Sequence, residues 1–333
     1  MRRFRFAVLG SGGWGTAMAV HLAKLGHPVT LWAARPEWAA ELAETRENAR
    51  LLPGVRIPDT VAIEHDPARA VADADLWAIA IPTAFLRKAL TPFPSLCTDS
   101  VRLLSLAKGI ENGTFLRPTQ IFEELFGPRT TGVLSGPSHA EEMARGLPTS
   151  VVAASRDPDF ALEIQAAFGS DRFRVYTNRD VVGVELAGAL KNVLGIAAGI
   201  CDGLGFGDNA KAALLARGLV EMTRFGVAAG ADAATFVGLA GAGDLIATCF
   251  SRHGRNRRVG ERLGKGESLA DILAGPMVAE GVWTARSVAE WAKARGIETP
   301  IMTAVHQVLH EGKPPLAAVR DLMTRHVGEE SEC

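Results

Sequence analysis

The chain opens on an apolar run, residues 4–9, that passes directly into Gly10-Ser11-Gly12-Gly13-Trp14-Gly15. A stretch with helical spacing, residues 17–25, follows. A GxGxxG alone says little. Between a strand and a helix it constrains the fold strongly, because each glycine then has a task. Gly10 makes the tight turn. Gly12 lets the backbone approach a pyrophosphate, and Gly15 lets helix and strand pack closely. The helix N-terminus offers amide donors to the anion. An ordinary glycine-rich turn would account for the letters but not for their context.

The second strand bears on which dinucleotide is bound. An NAD site usually carries an acid there, about 20 residues past the glycines. This chain reads Leu31-Trp32-Ala33-Ala34-Arg35-Pro36, with no acid before Glu37. A carboxylate would repel a 2′-phosphate and Arg35 would attract one. NADP(H) is therefore favoured, with NAD(H) possible. The alternative is that Arg35 is a solvated surface charge.

Apolar runs at 4–9, 29–32, 76–81, 101–106, 133–135 and 150–154 alternate with helical stretches such as 17–25, 38–46 and 84–90. That alternation predicts a doubly wound parallel sheet. After Asp180 a 3.6-residue period takes over, at 182–200, 210–229, 233–239, 268–274, 284–295 and 301–311. The expected fold is α/β plus all-α, with a Rossmann-type domain over 1–180 and a helical substrate and catalytic domain over 181–333. A length of 333 residues suits two domains. Residues 328–333 read as a frayed tail. The longest uncharged apolar run, around 193–201, is about half the ~18 residues of a membrane span, so no membrane insertion is expected. The basic start runs straight into the glycine motif, which argues against a targeting peptide.

Several function classes are disfavoured. Lys and Arg number 36 against 37 Asp and Glu, a net charge of -1, which argues against a nucleic-acid partner. Cys97, Cys201, Cys249 and Cys333 are scattered. They suggest neither disulfides nor zinc, and fit a reduced, cytoplasmic setting. His306 and His310 are four apart, without a third ligand in view, so no metal is expected. The single tyrosine, Tyr176, is followed four residues later by Asp180, which excludes a Tyr-x-x-x-Lys pair. No Gly-x-Ser-x-Gly elbow is present.

With only eight lysines in the chain, two stand out. Lys191 sits mid-way along an apolar helical segment, with Gly188 and Gly195 on its own face. Interior glycines cost about 1 kcal/mol each against alanine, so close packing or a ligand is expected there. Desolvation or a neighbouring cation would lower the pKa of Lys191 and make it a usable general acid. A snorkelling lysine is the alternative. Lys108 follows the run 101–106, where ligands of such sheets bind, although a loop lysine in water is the commoner case. The basic cluster 251–258 suits a phosphate clamp, a solvated loop or a nucleic-acid patch. Just upstream, a glycine-rich turn holds Asp244, with Thr248 one helical turn later.

Together these segments resemble the bacterial NAD(P)-dependent sn-glycerol-3-phosphate dehydrogenase family. The resemblance runs through GSGGWGT at 10–16, LAKGIE at 106–111 and SGPSHAEEMARGLPTS at 135–150. It continues through ELAGALKNV at 185–193, GAGDLIAT at 241–248, RNRRVG at 255–260 and Glu280-Gly281, so it covers nearly the whole chain. It implies reversible hydride transfer between NAD(P)H and dihydroxyacetone phosphate, giving sn-glycerol 3-phosphate for phospholipid synthesis. It implies Lys191 as general acid, with Lys108, Gly136, Ser138, Asn192, Asp244, Thr248, Arg255 and Asn256 around the substrate. Gly10, Gly12, Gly13, Trp14, Gly15, Arg35, Lys108, Ala140, Arg255, Val278 and Glu280 would line the cofactor. A cytoplasmic homodimer is the usual form.

The chain departs from the family pattern in places. Ala34 stands where Arg or His is common near the 2′-phosphate. Gly13 and Gly254 replace a frequent serine, and Leu51 and Leu52 an aromatic. Two competing readings are a related two-domain 2-keto or 3-hydroxy acid reductase and a non-catalytic NADPH-binding protein. The phosphate-matching cluster speaks against the first, and retention of both lysines against the second.

Overall fold

The computed structural model describes residues 3–251, 254–275, 278–326 and 329. The strands are β1 (Phe6–Leu9), β2 (Val29–Trp32), β3 (Val61–Glu64), β4 (Leu76–Ile79), β5 (Arg102–Ser105), β6 (Thr131–Ser135), β7 (Thr149–Ser155) and β8 (Phe173–Asn178). They form one sheet in the order β3-β2-β1-β4-β5-β6-β7-β8. The first six run parallel, β7 pairs antiparallel with β6, and β8 runs parallel to β7. The strand order turns between β1 and β4, and ligands of open α/β sheets bind at such a switch point.

Helices α1 (Gly13–Lys24), α2 (Pro36–Thr45), α3 (Pro67–Val71), α4 (Thr83–Leu90), α5 (Pro118–Phe126), α6 (Ala140–Ala144) and α7 (Pro158–Phe168) flank the sheet. Strand side chains alternate between its faces. Phe6 and Val8 enter one apolar cluster with Leu31 and Leu104, while Ala7 and Leu9 enter another with Trp77 and Ile79. Both faces being covered explains why β1 reads as an unbroken apolar run. The edge strand β8 instead alternates buried and exposed residues along its first half. It is absent from the run-based expectation for that reason, and β3, which buries only Val61 fully, is absent too.

The sheet gives way to helices at Asp180, whose Oδ1 accepts from Gly183 N at 2.8 Å and caps α8 (Val181–Gly203). Then follow α9 (Asp208–Ala228), α10 (Ala233–Val237), α11 (Asp244–Phe250), α12 (Arg255–Gly264), α13 (Leu269–Leu273), α14 (Glu280–Arg295), α15 (Pro300–His310) and α16 (Pro315–Met323). A π-helical turn, Leu239–Gly243, leads into α11. Helix α8 is longer than the run 193–201 suggested. By length and composition it could cross a membrane, but 94% of its apolar window is buried inside the fold. Glycines allow that enclosure. A Cβ on Gly199 or Gly203 of α8, or on Gly260 or Gly264 of α12, would strike the opposing backbone. The basic cluster is therefore partly helix, since α12 starts at Arg255; Arg252 and His253 lie outside the described residues. The acidic tail, Glu329 excepted, also lies outside them.

Candidate active site

The glycine loop takes the geometry its spacing calls for. Gly10 has φ +113°, and a Cβ there would meet Ala80 O at 2.9 Å. A Cβ on Gly15 would collide with Gly10 O, whereas one on Gly12 would meet nothing within 4 Å. That open space lies at the N-terminus of α1, which has no acid in its first turn and no side-chain cap. An anion is the natural cap for such an end. These features fit a dinucleotide pyrophosphate. Gly13 is explained by its neighbour, since a side chain there would meet Leu51 O at 2.6 Å. Trp14 and Ala140 pack against the same cluster beneath the loop. Arg35 and Ala34 are exposed just past β2.

Two residues unforeseen in the sequence brace this loop. Asn48, fully buried, donates to Ser11 O at 3.1 Å and Thr16 Oγ1 at 2.8 Å. Its Oδ1 accepts from Leu51 N. Trp38 Nε1 donates to Ser11 Oγ at 3.0 Å. No local pattern marks either residue, because the contacts to Ser11 and Thr16 close loops of 27 residues or more.

Helix α8 carries Lys191, which is 7% exposed. Its Nζ donates to Thr248 Oγ1 at 2.7 Å and lies 3.2 Å from Asp244 Oδ1. Lys108 Nζ lies 2.7 Å from Asp244 Oδ2 and also donates to Gly136 O at 2.9 Å and Ser138 Oγ at 3.3 Å. One buried carboxylate thus holds two ammonium groups. Burial lowers the pKa of Lys191 to about 8; Asp244 opposes the fall and Lys108 adds to it. Burial pushes Asp244 up, but the two lysines hold it below its ordinary value. His139, at the start of α6, is held low by burial and by the Lys191 charge.

The glycines on the Lys191 face do not leave a groove. A Cβ on Gly188 would sit 2.8 Å from Ser135 Oγ and 3.4 Å from the Lys108 stem, and one on Gly195 would sit 2.7 Å from Thr248. They let β6, the Lys108 loop and α11 close onto α8. Close packing at both glycines is therefore as expected.

Asn192 and Asn256 are linked to the lysine site by their amides. Asn192 Nδ2 donates to Lys108 O at 3.0 Å, Asn256 Nδ2 to Asn192 Oδ1 at 2.8 Å, and Gly281 N to Asn256 Oδ1 at 3.0 Å. Each amide thus gives one N–H and its oxygen to the protein and keeps a second N–H. What Asn256 offers an anion is that second N–H and its backbone N–H in the first turn of α12, next to the exposed Arg255. Arg257 faces away and pairs with Asp202 at 2.6 Å, and Arg258 is exposed. Among the described residues, the arginines of the cluster therefore do not form one basic face. Glu280, which follows Val278 and Ala279 at the head of α14, accepts from Thr83 N at 3.0 Å and joins the helices to the sheet. Burial raises its pKa. Among the described residues no group of three or more His, Cys, Asp or Glu could hold a metal.

A dinucleotide-binding sheet joined to helices that hold a buried, hydrogen-bonded lysine defines a nicotinamide-dependent oxidoreductase. Residues 5–161 match the family model for the NAD-dependent glycerol-3-phosphate dehydrogenase N-terminus, and 180–320 that for its C-terminus. The chain belongs to this family. It is 49% identical to a glycerol-3-phosphate dehydrogenase [NAD(P)+] of Chlorobium limicola over 97% of this chain and 98% of the relative. The value is 50% for one from Salinibacter ruber, covering 97% and 96%. The crystal structure of glycerol-3-phosphate dehydrogenase from Coxiella burnetii superposes with a TM-score of 0.94 at 37% identity, covering 97% of this chain and 99% of that one.

Proposed function

We propose that the protein reduces dihydroxyacetone phosphate reversibly to sn-glycerol 3-phosphate with NAD(P)H, supplying phospholipid synthesis. The observation that carries this reading is the buried pair of lysines on Asp244, facing the carboxyl edge of a dinucleotide-binding sheet. Residues 1–180 hold the dinucleotide and 181–333 supply the acid, with the cleft between them.

The reduced nicotinamide, when bound, supplies the hydride. Lys191 meets the negative charge that grows on the carbonyl oxygen and gives it a proton; in the reverse direction it takes the proton back. Its lowered pKa suits both directions near neutrality. Asp244 and Thr248 fix the ammonium, and Lys108 adds a second positive charge beside it. Gly136 and Ser138 hold Lys108. Arg255 and the first amides of α12, Asn256 among them, would anchor the substrate phosphate, so that remote binding energy orients the ketone. Asn192 keeps the Lys108 loop against α8. Arg35, with no acid beside it, favours NADP(H), while the exposed Ala34 adds nothing to a 2′-phosphate site.

The setting is cytoplasmic and the form a homodimer. An exposed apolar stripe supports the second point: Ala212, Ala213, Ala216, Val220 and Val227 on α9. Light scattering at micromolar protein is expected to give twice the chain mass.

The direct test follows loss of reduced-nicotinamide absorbance with dihydroxyacetone phosphate and, in parallel, with unphosphorylated keto acids. Rapid oxidation with the phosphorylated ketone alone is expected. Turnover of keto acids instead would favour the related reductase. NADPH binding without turnover of any ketone would favour a non-catalytic protein.

A further inference from the structure

A second cavity, of about 260 Å³, lies behind the loop that carries Lys108. Its apolar walls include Phe115, Phe225 and Trp291, the last two tilted against each other with ring centres 4.6 Å apart. Its polar lining includes Arg117, Ser287 and Arg295. Arg117 is 9% exposed. Its Nη1 donates to Glu185 and to Thr119 Oγ1, and among the described residues its other N–H groups have no hydrogen-bond partner. Arg295 is exposed at the rim and stacks 4.1 Å over the Trp291 ring. With Glu185 as the single carboxylate in the pairing, the two guanidiniums leave an excess of one positive charge. A buried cation with unused donors, beside flat apolar walls, is the chemistry that recognises an organic anion.

The cavity also touches the catalytic machinery. Ser287 Oγ reaches Ile110 O at 3.5 Å and Glu111 O at 3.4 Å and bonds Asn112 Oδ1, which fastens the segment just past Lys108. Phe115 closes the same loop with φ 60°, a left-handed conformation rare for an aromatic residue. Strain of this kind collects at ligand clamps and switches.

We propose that this cavity binds a small organic anion with an aromatic or other apolar body, and that the bound anion alters ketone reduction through the Lys108 loop. The second half rests on the role given to Lys108 above.

Phenyl phosphate is titrated calorimetrically into the full-length protein, with and without saturating sn-glycerol 3-phosphate. A single molecule per chain is expected to bind under both conditions, and inorganic phosphate about tenfold more weakly. Arg295→Glu is expected to weaken phenyl phosphate about tenfold, and Ala229→Trp, which fills the cavity, to abolish its binding. Phenyl phosphate is expected to change the KM for dihydroxyacetone phosphate in the wild type and not in Ala229→Trp. Loss of binding when sn-glycerol 3-phosphate is added would place the anion in the active site and overturn the proposal. So would no measurable binding, or equal affinity in both variants. Binding without any kinetic effect would overturn the coupling. Absence of ketone reduction altogether would instead sink the enzymatic reading and leave the calorimetric result standing.

Discussion

The glycine loop after β1 and the lysines around Asp244 are built by opposite means. The loop is backbone: a positive φ at Gly10, open space at Gly12 and the free amides of α1. The lysine site is side chain, gathered from the loop after β5, from α8 and from α11. A backbone site is specified by a short contiguous motif and depends on room. A side-chain site such as the lysine pair on Asp244 is specified by contacts spanning 53 to 136 residues and depends on single atoms. Substitutions should therefore act on the two in different ways.

The largest effect is expected at Lys191. Lys191→Ala should lower turnover by about 10²–10⁴-fold, with NADPH affinity by fluorescence titration little changed. Near-normal turnover would take Lys191 out of the chemistry.

Next come two glycines of one motif. Gly12→Ala should fold normally, because a Cβ there meets nothing, yet bind NADPH about tenfold more weakly. Gly15→Ala should lose about 1–3 kcal/mol in denaturant unfolding, because its Cβ collides with Gly10 O. Equal stability of the two variants would show that the loop is looser than its geometry.

A smaller effect belongs to Arg35. Arg35→Ala should cut the preference for NADPH over NADH by about tenfold, read from the two kcat/KM values. An unchanged ratio would make Arg35 a solvated charge.

The smallest effect separates charge held by backbone from charge held by side chains. Glu221 is buried and accepts from Ile301 N at 2.7 Å and Met302 N at 3.1 Å, yet burial raises its pKa to about 7. The folded state therefore holds this proton more tightly than the unfolded chain. The stability this contributes is full below pH 4.5 and is lost as pH rises through about 7. Thermal melts of wild type against Glu221→Gln should show the wild type losing ground over that window. A constant difference would contradict the assignment.

The contrast between the two sites also explains what could be read from the chain. Strands buried on both faces, such as β1 and β4, announce themselves as apolar runs. The edge strand β8 begins in alternation, and α12 buries only Asn256, Val259, Gly260 and Leu263. Neither presents a continuous signal. The glycine loop is legible because its parts are neighbours in sequence. Lys191, Lys108, Asp244 and Thr248 could each be singled out, but not the carboxylate bridge between the two lysines. That bridge exists only once α11 packs on α8. Asn192 and Asn256 show the limit most plainly: only packing shows that they bond each other and tie the Lys108 loop to the head of α14. Glu185 gave no sign that it would meet Arg117 and Thr119.

The measurement closest to the central claim is the pH dependence of single-turnover ketone reduction, in wild type and in Asp244→Asn. A reduction that needs protonated Lys191 should slow as pH rises through about 8. Removing the Asp244 charge, which holds the proton on Lys191, should move that limb to lower pH. A wild-type rate flat through pH 8, or a limb that stays in place in Asp244→Asn, would contradict Lys191 as the acid poised by Asp244.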